Sequence, residues 1–130
     1  MGDFEWTVED HLRGEPDESV ALYLRVEELV RGFGDVTLSV SKSTITFKGP
    51  RRGFAGAHPA KSGVRGYMDL MRDLGTDDPR IRAVYPYQSG LFVHHFTLTS
   101  VADLDDEFVG WLGEAHEVGR GAHRRCDLGR

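Results

Sequence analysis

The chain has 130 residues, of which 39% are hydrophobic and 28% charged, and its formal net charge is −5. This length and composition are typical of one globular domain and exclude a disordered chain, while the acidic balance argues against general nucleic-acid binding over the whole surface. Because there is no apolar run of roughly 18 residues and no secretion-like start, and because the lone Cys126 cannot form an internal disulfide, we expect a cytoplasmic protein without a membrane partner. We predict a single domain over residues 1–130 with an ordered core over about 4–118, and no metal or other cofactor.

Two helices are predicted before the first strand. Thr7 can cap a short helix that reaches about Leu12, and Pro16 suits the first turn of a longer one. Gly32 or Gly34 is expected to end the longer helix. Its apolar residues recur at helical spacing: Leu22, Val26, Leu29, Val30 and Phe33.

The period then changes to two, which is typical of half-buried strands. Strands are predicted over residues 36–41 and 44–48, and the tight connection at 49–53 is expected to lift Arg51 and Arg52 into solvent. A third strand at 54–58 is poor in side chains, which favours close approach of another backbone or a ligand. In a fourth strand, at 64–70, the residues on the polar face are Arg65, Tyr67 and Asp69.

After a polar loop at 73–80, in which a helical turn is allowed after Thr76, strands are predicted at 81–85 and 91–99 with a five-residue connection between them. Ser100, with Asp103 three residues later, is expected to cap the last helix. The apolar stripe of that helix comprises Leu104, Phe108, Trp111, Leu112 and Ala115. Residues 119–130 are interpreted as a frayed, mildly basic tail.

This order predicts the α+β class: a two-layer sandwich with a mostly antiparallel sheet of about six strands and the N-terminal and C-terminal helices packed on one face. The second face of the sheet would be open. Residues 1–35 hold ten acids and three bases, a balance of −7, whereas residues 36–72 hold seven bases and one acid, a balance of +6. We therefore expect an acidic helical layer and a basic sheet layer.

The open face offers cations, hydroxyls and an aromatic ring, which are groups that bind phosphates. The candidate phosphate-binding residues are Lys42, Thr44, Lys48, Arg51, Arg52, Arg65, Tyr67 and His95. Because neighbouring strand residues point to opposite faces, one of His94 and His95 should be buried, and the sequence does not say which. No catalytic motif is present, and a zinc site of His116, His123 and Cys126 would lack the usual second Cys pair.

We therefore expect a binding or accessory module whose partner is nucleic acid or another phosphate-bearing ligand. Three alternatives stay open. The basic side chains can be a merely solvated sheet face, the histidine on that face can serve a small-molecule enzyme or binding protein, or the chain can be a protein-interaction module that forms a homodimer.

Several segments together resemble a known family. They are residues 6–12 (WTVEDHL), 41–48 (SKSTITFK), 52–54 (RGF) and 92–100 (FVHHFTLTS), followed by an acidic helix. Over residues 6 to about 118 the chain is similar to an uncharacterised bacterial family of domains of unknown function (domain of unknown function 5655), which also resembles a module attached to restriction-endonuclease-like proteins. The resemblance implies no established activity, and its link to nucleases favours a nucleic-acid partner.

Overall fold

The computed structural model describes residues 6–88 and 90–121. Three α-helices, six strands and one 3-10 turn follow one another along this part of the chain. Their bounds are α1 (Val8–Leu12), α2 (Asp17–Arg31), β1 (Thr37–Val40), β2 (Ile45–Lys48), β3 (Gly53–Ala60), β4 (Gly63–Leu70), β5 (Ile81–Gln88), β6 (Leu91–Leu98), the 3-10 turn (Val101–Asp103) and α3 (Asp106–Gly119).

The six strands form one sheet in the order β1-β2-β3-β4-β6-β5, and every neighbouring pair is antiparallel. Helices α2 and α3 lie side by side against the central strands β3 and β4. The core lies between these two layers and includes Tyr23, Phe47, Met68, Phe96 and Phe108. The predicted α+β sandwich, with its helices on one face of an antiparallel sheet, is confirmed.

Helix α1 begins where local chemistry predicts, whereas Pro16 is the N-cap of α2 and not a residue of its first turn. Thr7 and Asp10 form a reciprocal capping box at α1, and α2 ends at Gly32. Helix α1 packs against β3, and His11 Nε2 donates a 2.6 Å hydrogen bond to the Ser41 carbonyl. This contact holds α1 near the turn between β1 and β2.

The last helix begins later than predicted. Asp105, not Ser100, is its N-cap, and the Asp105 carboxylate accepts a 2.9 Å bond from the Phe108 amide. Asp103 instead accepts a 2.8 Å bond from the Thr99 amide, which favours the short 3-10 turn over an early start of the helix. No helix forms after Thr76.

The predicted end of β5 at residue 85 was also wrong. The strand continues through Pro86 to Gln88, so the connection to β6 is much shorter than five residues. Pro86 is tolerated because β5 is an edge strand, where a missing amide hydrogen leaves no partner unpaired, and the register shifts between Pro86 and Gln88. As a result, Tyr87 belongs to the sheet.

No helix within the described residues is long and apolar enough to cross a membrane. The predicted tail falls mostly beyond these residues, since α3 extends to Gly119 and 122–130 lie outside the described part.

Candidate functional site

The sheet face opposite α2 and α3 is here called the open face. Its members follow from strand alternation and pairing, because the neighbours of buried core residues point away from the helices. Across the central strands they are Gly56 and His58 of β3, Arg65, Tyr67 and Asp69 of β4, and Val93, His95 and Thr97 of β6.

Aromatic rings cross the middle of the open face. Tyr67 and His95 are direct cross-strand partners, and the His95 ring meets the Tyr85 ring edge-on at 5.8 Å between centroids. Tyr85 and Tyr87 are each 55% exposed. We call Tyr67, His95, Tyr85 and Tyr87 the aromatic row. This exposure leaves much of both side chains accessible to a planar ligand, while the Arg52 guanidinium lies over one face of the Tyr87 ring.

Tyr67 is the fixed member of the row. Its ring lies over Gly56, and its hydroxyl lies 3.3 Å from Thr46 Oγ1. Burial raises the pKa of the Tyr67 phenol, so the side chain stays neutral at physiological pH. The prediction that β3 allows another group to approach closely is therefore confirmed, and that group is the Tyr67 ring of β4.

One end of the row holds an ion pair. Arg52 Nη2 donates to Asp69 Oδ2 at 2.8 Å, Arg52 Nε donates to the Gly53 carbonyl at 2.9 Å, and the guanidinium lies 5.4 Å from the Tyr87 ring centroid. The expectation that Arg52 points into solvent was wrong, because Asp69, only 4% exposed, binds it. Burial raises the pKa of Asp69 to about 6, although Arg52 opposes this shift.

A concave pocket of about 660 Å³ opens beside this pair, a volume within the range of small-ligand sites. It is lined by Arg51, Arg52, Gly53, Tyr67, Asp69, Tyr87, Gln88, Val93 and Gly121. The loop that carries both arginines is bound to the end of α3. The Gly119 carbonyl accepts hydrogen bonds from the Arg51 amide at 2.9 Å and the Arg52 amide at 3.3 Å. We call this concavity the Arg52 pocket.

The opposite end of the row is cationic. A second concavity of about 510 Å³ is lined by Arg65, Arg82, His95 and Thr97 together with the hydroxyls of Ser62 and Thr99. In the described part of the chain, neither Arg65 nor Arg82 forms a salt bridge. Both guanidinium groups are exposed and can meet an anion.

Beyond Arg65, the open face ends against α1. The His58 ring lies 6.4 Å from that of His11, and His58 Nδ1 is buried without a hydrogen-bond partner in the described residues. Burial lowers the pKa of His58, with further contributions from His11 and Arg65. Protonation of His58, which would place a second positive charge beside Arg65, is thus disfavoured.

The structure also identifies the buried histidine. His94 is fully enclosed, its Nε2 accepts a 3.0 Å bond from the Leu74 amide, and its Nδ1 donates to the Phe92 carbonyl at 3.1 Å. Only the neutral ring can do both, and burial lowers its pKa accordingly. His95 is the exposed member, as the candidate set assumed.

The eight candidates do not form one cluster. Arg51, Arg52 and Tyr67 meet at the Arg52 pocket, and Arg65 and His95 at the second concavity. Lys48 is exposed at the end of β2 opposite Gly53. Lys42 and Thr44 lie in the β1–β2 turn, about 13 Å along the strands from that end.

Three open-face residues were missed from sequence: Arg82, Tyr85 and Tyr87. The alternation of tyrosines on either side of Pro86 was the available signal, but proline favoured a loop there. Of the weak zinc candidates, His116 is buried and its Nε2 donates to the Gly34 carbonyl at 2.8 Å, while His123 and Cys126 lie outside the described residues. Within the described ranges, no group of three metal-ligating side chains occurs.

A family model described as "Domain of unknown function (DUF5655)" matches residues 8–119, which include every element of the sheet and both packed helices. Neither the curated proteins nor the solved structures contain a significant match to the chain.

Proposed function

The chain belongs to the family of domains of unknown function 5655, and we propose that its open face binds single-stranded nucleic acid. The observation that carries the proposal is the aromatic row with arginines at both ends. Proteins that bind single strands combine aromatic rings, on which bases stack, with a cationic path for the phosphates. Here Tyr67, Tyr85 and Tyr87 supply rings and Arg65 and Arg82 supply charge.

The charge distribution supports binding by this face alone. Helices α2 and α3 together carry eight acidic and two basic side chains, so the helical layer repels a polyanion. The bases at the open face and its margin are Lys48, Arg51, Arg52, Arg65 and Arg82. A net charge of −5 is therefore compatible with a local phosphate path.

The shape of the face favours single strands over duplex. A sheet carrying exposed rings can stack only on bases that are unpaired, and neither of the packed helices projects from the face to enter a groove. The resemblance to modules attached to restriction-endonuclease-like proteins favours the same class of ligand. We place this activity in the cytoplasm.

A salt titration tests the proposal. The affinity for a fluorescent thymine 12-mer should fall with salt, with a slope of about −0.7 for each phosphate contact. Arg65→Ala and Arg82→Ala should each reduce the slope by about 0.7. Arg25→Ala removes the same charge from exposed α2 and should leave the slope unchanged. The absence of binding, or equal slopes for wild type and the three variants, would refute the proposal.

A further inference from the structure

The Arg52 pocket presents a hydrogen-bond donor and an acceptor side by side. Arg52 uses Nε and Nη2 internally, and its Nη1 has no hydrogen bond to a described residue. Asp69 uses Oδ2 for Arg52, and its Oδ1 likewise has no described partner. Both side chains line the pocket, so a ligand there meets unused atoms of each.

A buried ion pair is a weak stabiliser, because removal of two charges from water offsets most of their attraction. An apolar pair at the margin of a sheet would serve stability as well. The Arg52–Asp69 pair instead lies in a pocket between two rings, Tyr67 and Tyr87, where a flat ligand can be stacked and its edge read by polar atoms.

We propose that the Arg52 pocket recognises a guanine base, read by Arg52 and Asp69 and stacked on Tyr87. This inference rests on the proposed function of the same face and adds a base preference to it. Guanine carries two adjacent donors, N1–H and the 2-amino group, beside the O6 acceptor. The Asp69 carboxylate can accept from the two donors through Oδ1 and the second lone pair of Oδ2, while Arg52 Nη1 donates to O6, one of the two guanine atoms that arginine commonly binds.

Other bases match the pair less well. Thymine and uracil present one N–H between two carbonyls, and one of those carbonyls would face the carboxylate. Adenine and cytosine each offer one amino donor and no second donor beside it. Asp69 must be ionised to accept twice, and its pKa of about 6 means that it is ionised at pH 7.5 and mostly protonated at pH 5.

The experiment compares three fluorescent nonamers by anisotropy at pH 7.5: all thymine, thymine with one central guanine, and thymine with one central inosine, which lacks the 2-amino group. We expect the guanine nonamer to bind about tenfold more tightly than the all-thymine one, with inosine in between. Asp69→Asn should reduce this preference, the ratio of the affinities for the guanine and all-thymine nonamers, to about onefold. Asp77→Asn, in an exposed loop, is the matched control and should keep the preference.

Two further arms keep the result decisive. If Asp69→Asn does not fold, the wild-type preference for guanine should still fall severalfold from pH 7.5 to pH 5, as Asp69 gains a proton. Direct binding of guanosine monophosphate, measured by titration calorimetry, distinguishes a free nucleotide from a guanine within a strand. Equal binding of the three nonamers at pH 7.5 would overturn the guanine inference and leave the proposed function intact. Binding of guanosine monophosphate without any nonamer binding would support guanine recognition and overturn the single-strand function, and failure of every probe would overturn both.

Discussion

The Tyr67 ring lies against Gly56, its cross-strand partner, so closely that a Cβ on Gly56 would be 2.5 Å from Tyr67 Cε1. The same Cβ would be 3.0 Å from the Ile45 carbonyl oxygen. Glycine is therefore required at position 56 for the ring to lie flat on the sheet. The conformation of the aromatic row depends on this one missing side chain.

Gly56→Ala should displace the Tyr67 ring and destabilise the fold by about 1–3 kcal/mol, as overpacking generally does. Urea unfolding measures the change in stability, and a loss of affinity for a thymine 12-mer measures the effect of the displaced ring. Gly110→Ala is the control, because a Cβ there meets no atom within 4 Å and the residue is in α3. That substitution should stabilise the protein by about 0.5–1 kcal/mol and leave binding unchanged. A Gly56→Ala protein as stable as wild type would refute the packing argument.

Arg52→Ala should destabilise the protein more at neutral than at acidic pH. Asp69 has a folded-state pKa of about 6, above its ordinary value of 3.8, so its ionisation weakens the folded state as pH rises through 6. Without Arg52, the free-energy cost of ionising Asp69 in the folded state is larger, because Arg52 opposes the effect of burial. Because Arg52 is partly exposed, we expect a loss of about 2 kcal/mol at pH 7.5, below the range for fully buried pairs, and less at pH 5.

Urea unfolding of the Arg52→Ala protein at the two pH values measures this difference. The double variant Arg52→Ala, Asp69→Asn removes the buried charge and should lose the part of the pH dependence that Asp69 contributes. An equal loss at both pH values in the single variant would show that the guanidinium acts through packing alone.

His94 should make wild-type stability fall on acidification. Its folded-state pKa is lowered from 6.5, so the unfolded chain takes up a proton first, and the stabilisation present above pH 6.5 is lost as pH falls below it. His94→Gln should cost about 1–3 kcal/mol at pH 7.5, because one of the two hydrogen bonds is lost. The variant should then lose less stability than wild type between pH 7.5 and pH 5.5.

Unfolding in guanidinium chloride at several pH values measures both the loss of stability and the change in its pH dependence. His95→Gln changes the adjacent, exposed ring and should leave the stability at pH 7.5 unchanged. Asp69 and His58 titrate in all three proteins, so their contributions cancel in the comparison. Parallel profiles for wild type and His94→Gln would contradict the assignment of His94 as a buried neutral ring.

The layer order could be predicted from local signals. Thr7 lies three residues before Asp10, which is the spacing of a capping box, and the two helical stripes require a common surface to cover. The period-two strands also fixed which face Arg65 and Tyr67 occupy, because alternation is a property of the backbone.

The remaining site features depend on long-range register. The Arg52–Asp69 pair joins residues 17 positions apart, and nothing local to either residue indicates it. His94 and His95 cannot be ranked by alternation alone, since either choice satisfies a period of two. Tyr87 was missed because the tolerance of β5 for Pro86 follows from its place at the sheet edge.

The aromatic row is tested most directly by the affinity for a thymine 12-mer of the double variant Tyr85→Ala, Tyr87→Ala, compared with Tyr85→Phe, Tyr87→Phe. Both tyrosines are exposed, so neither double variant should be destabilised. The phenylalanine variant keeps the rings and should bind like wild type, whereas the alanine variant should bind at least about tenfold more weakly, given about 1–3 kcal/mol for each stacked base. Equal affinities for the alanine variant and wild type would contradict nucleic-acid binding by this face.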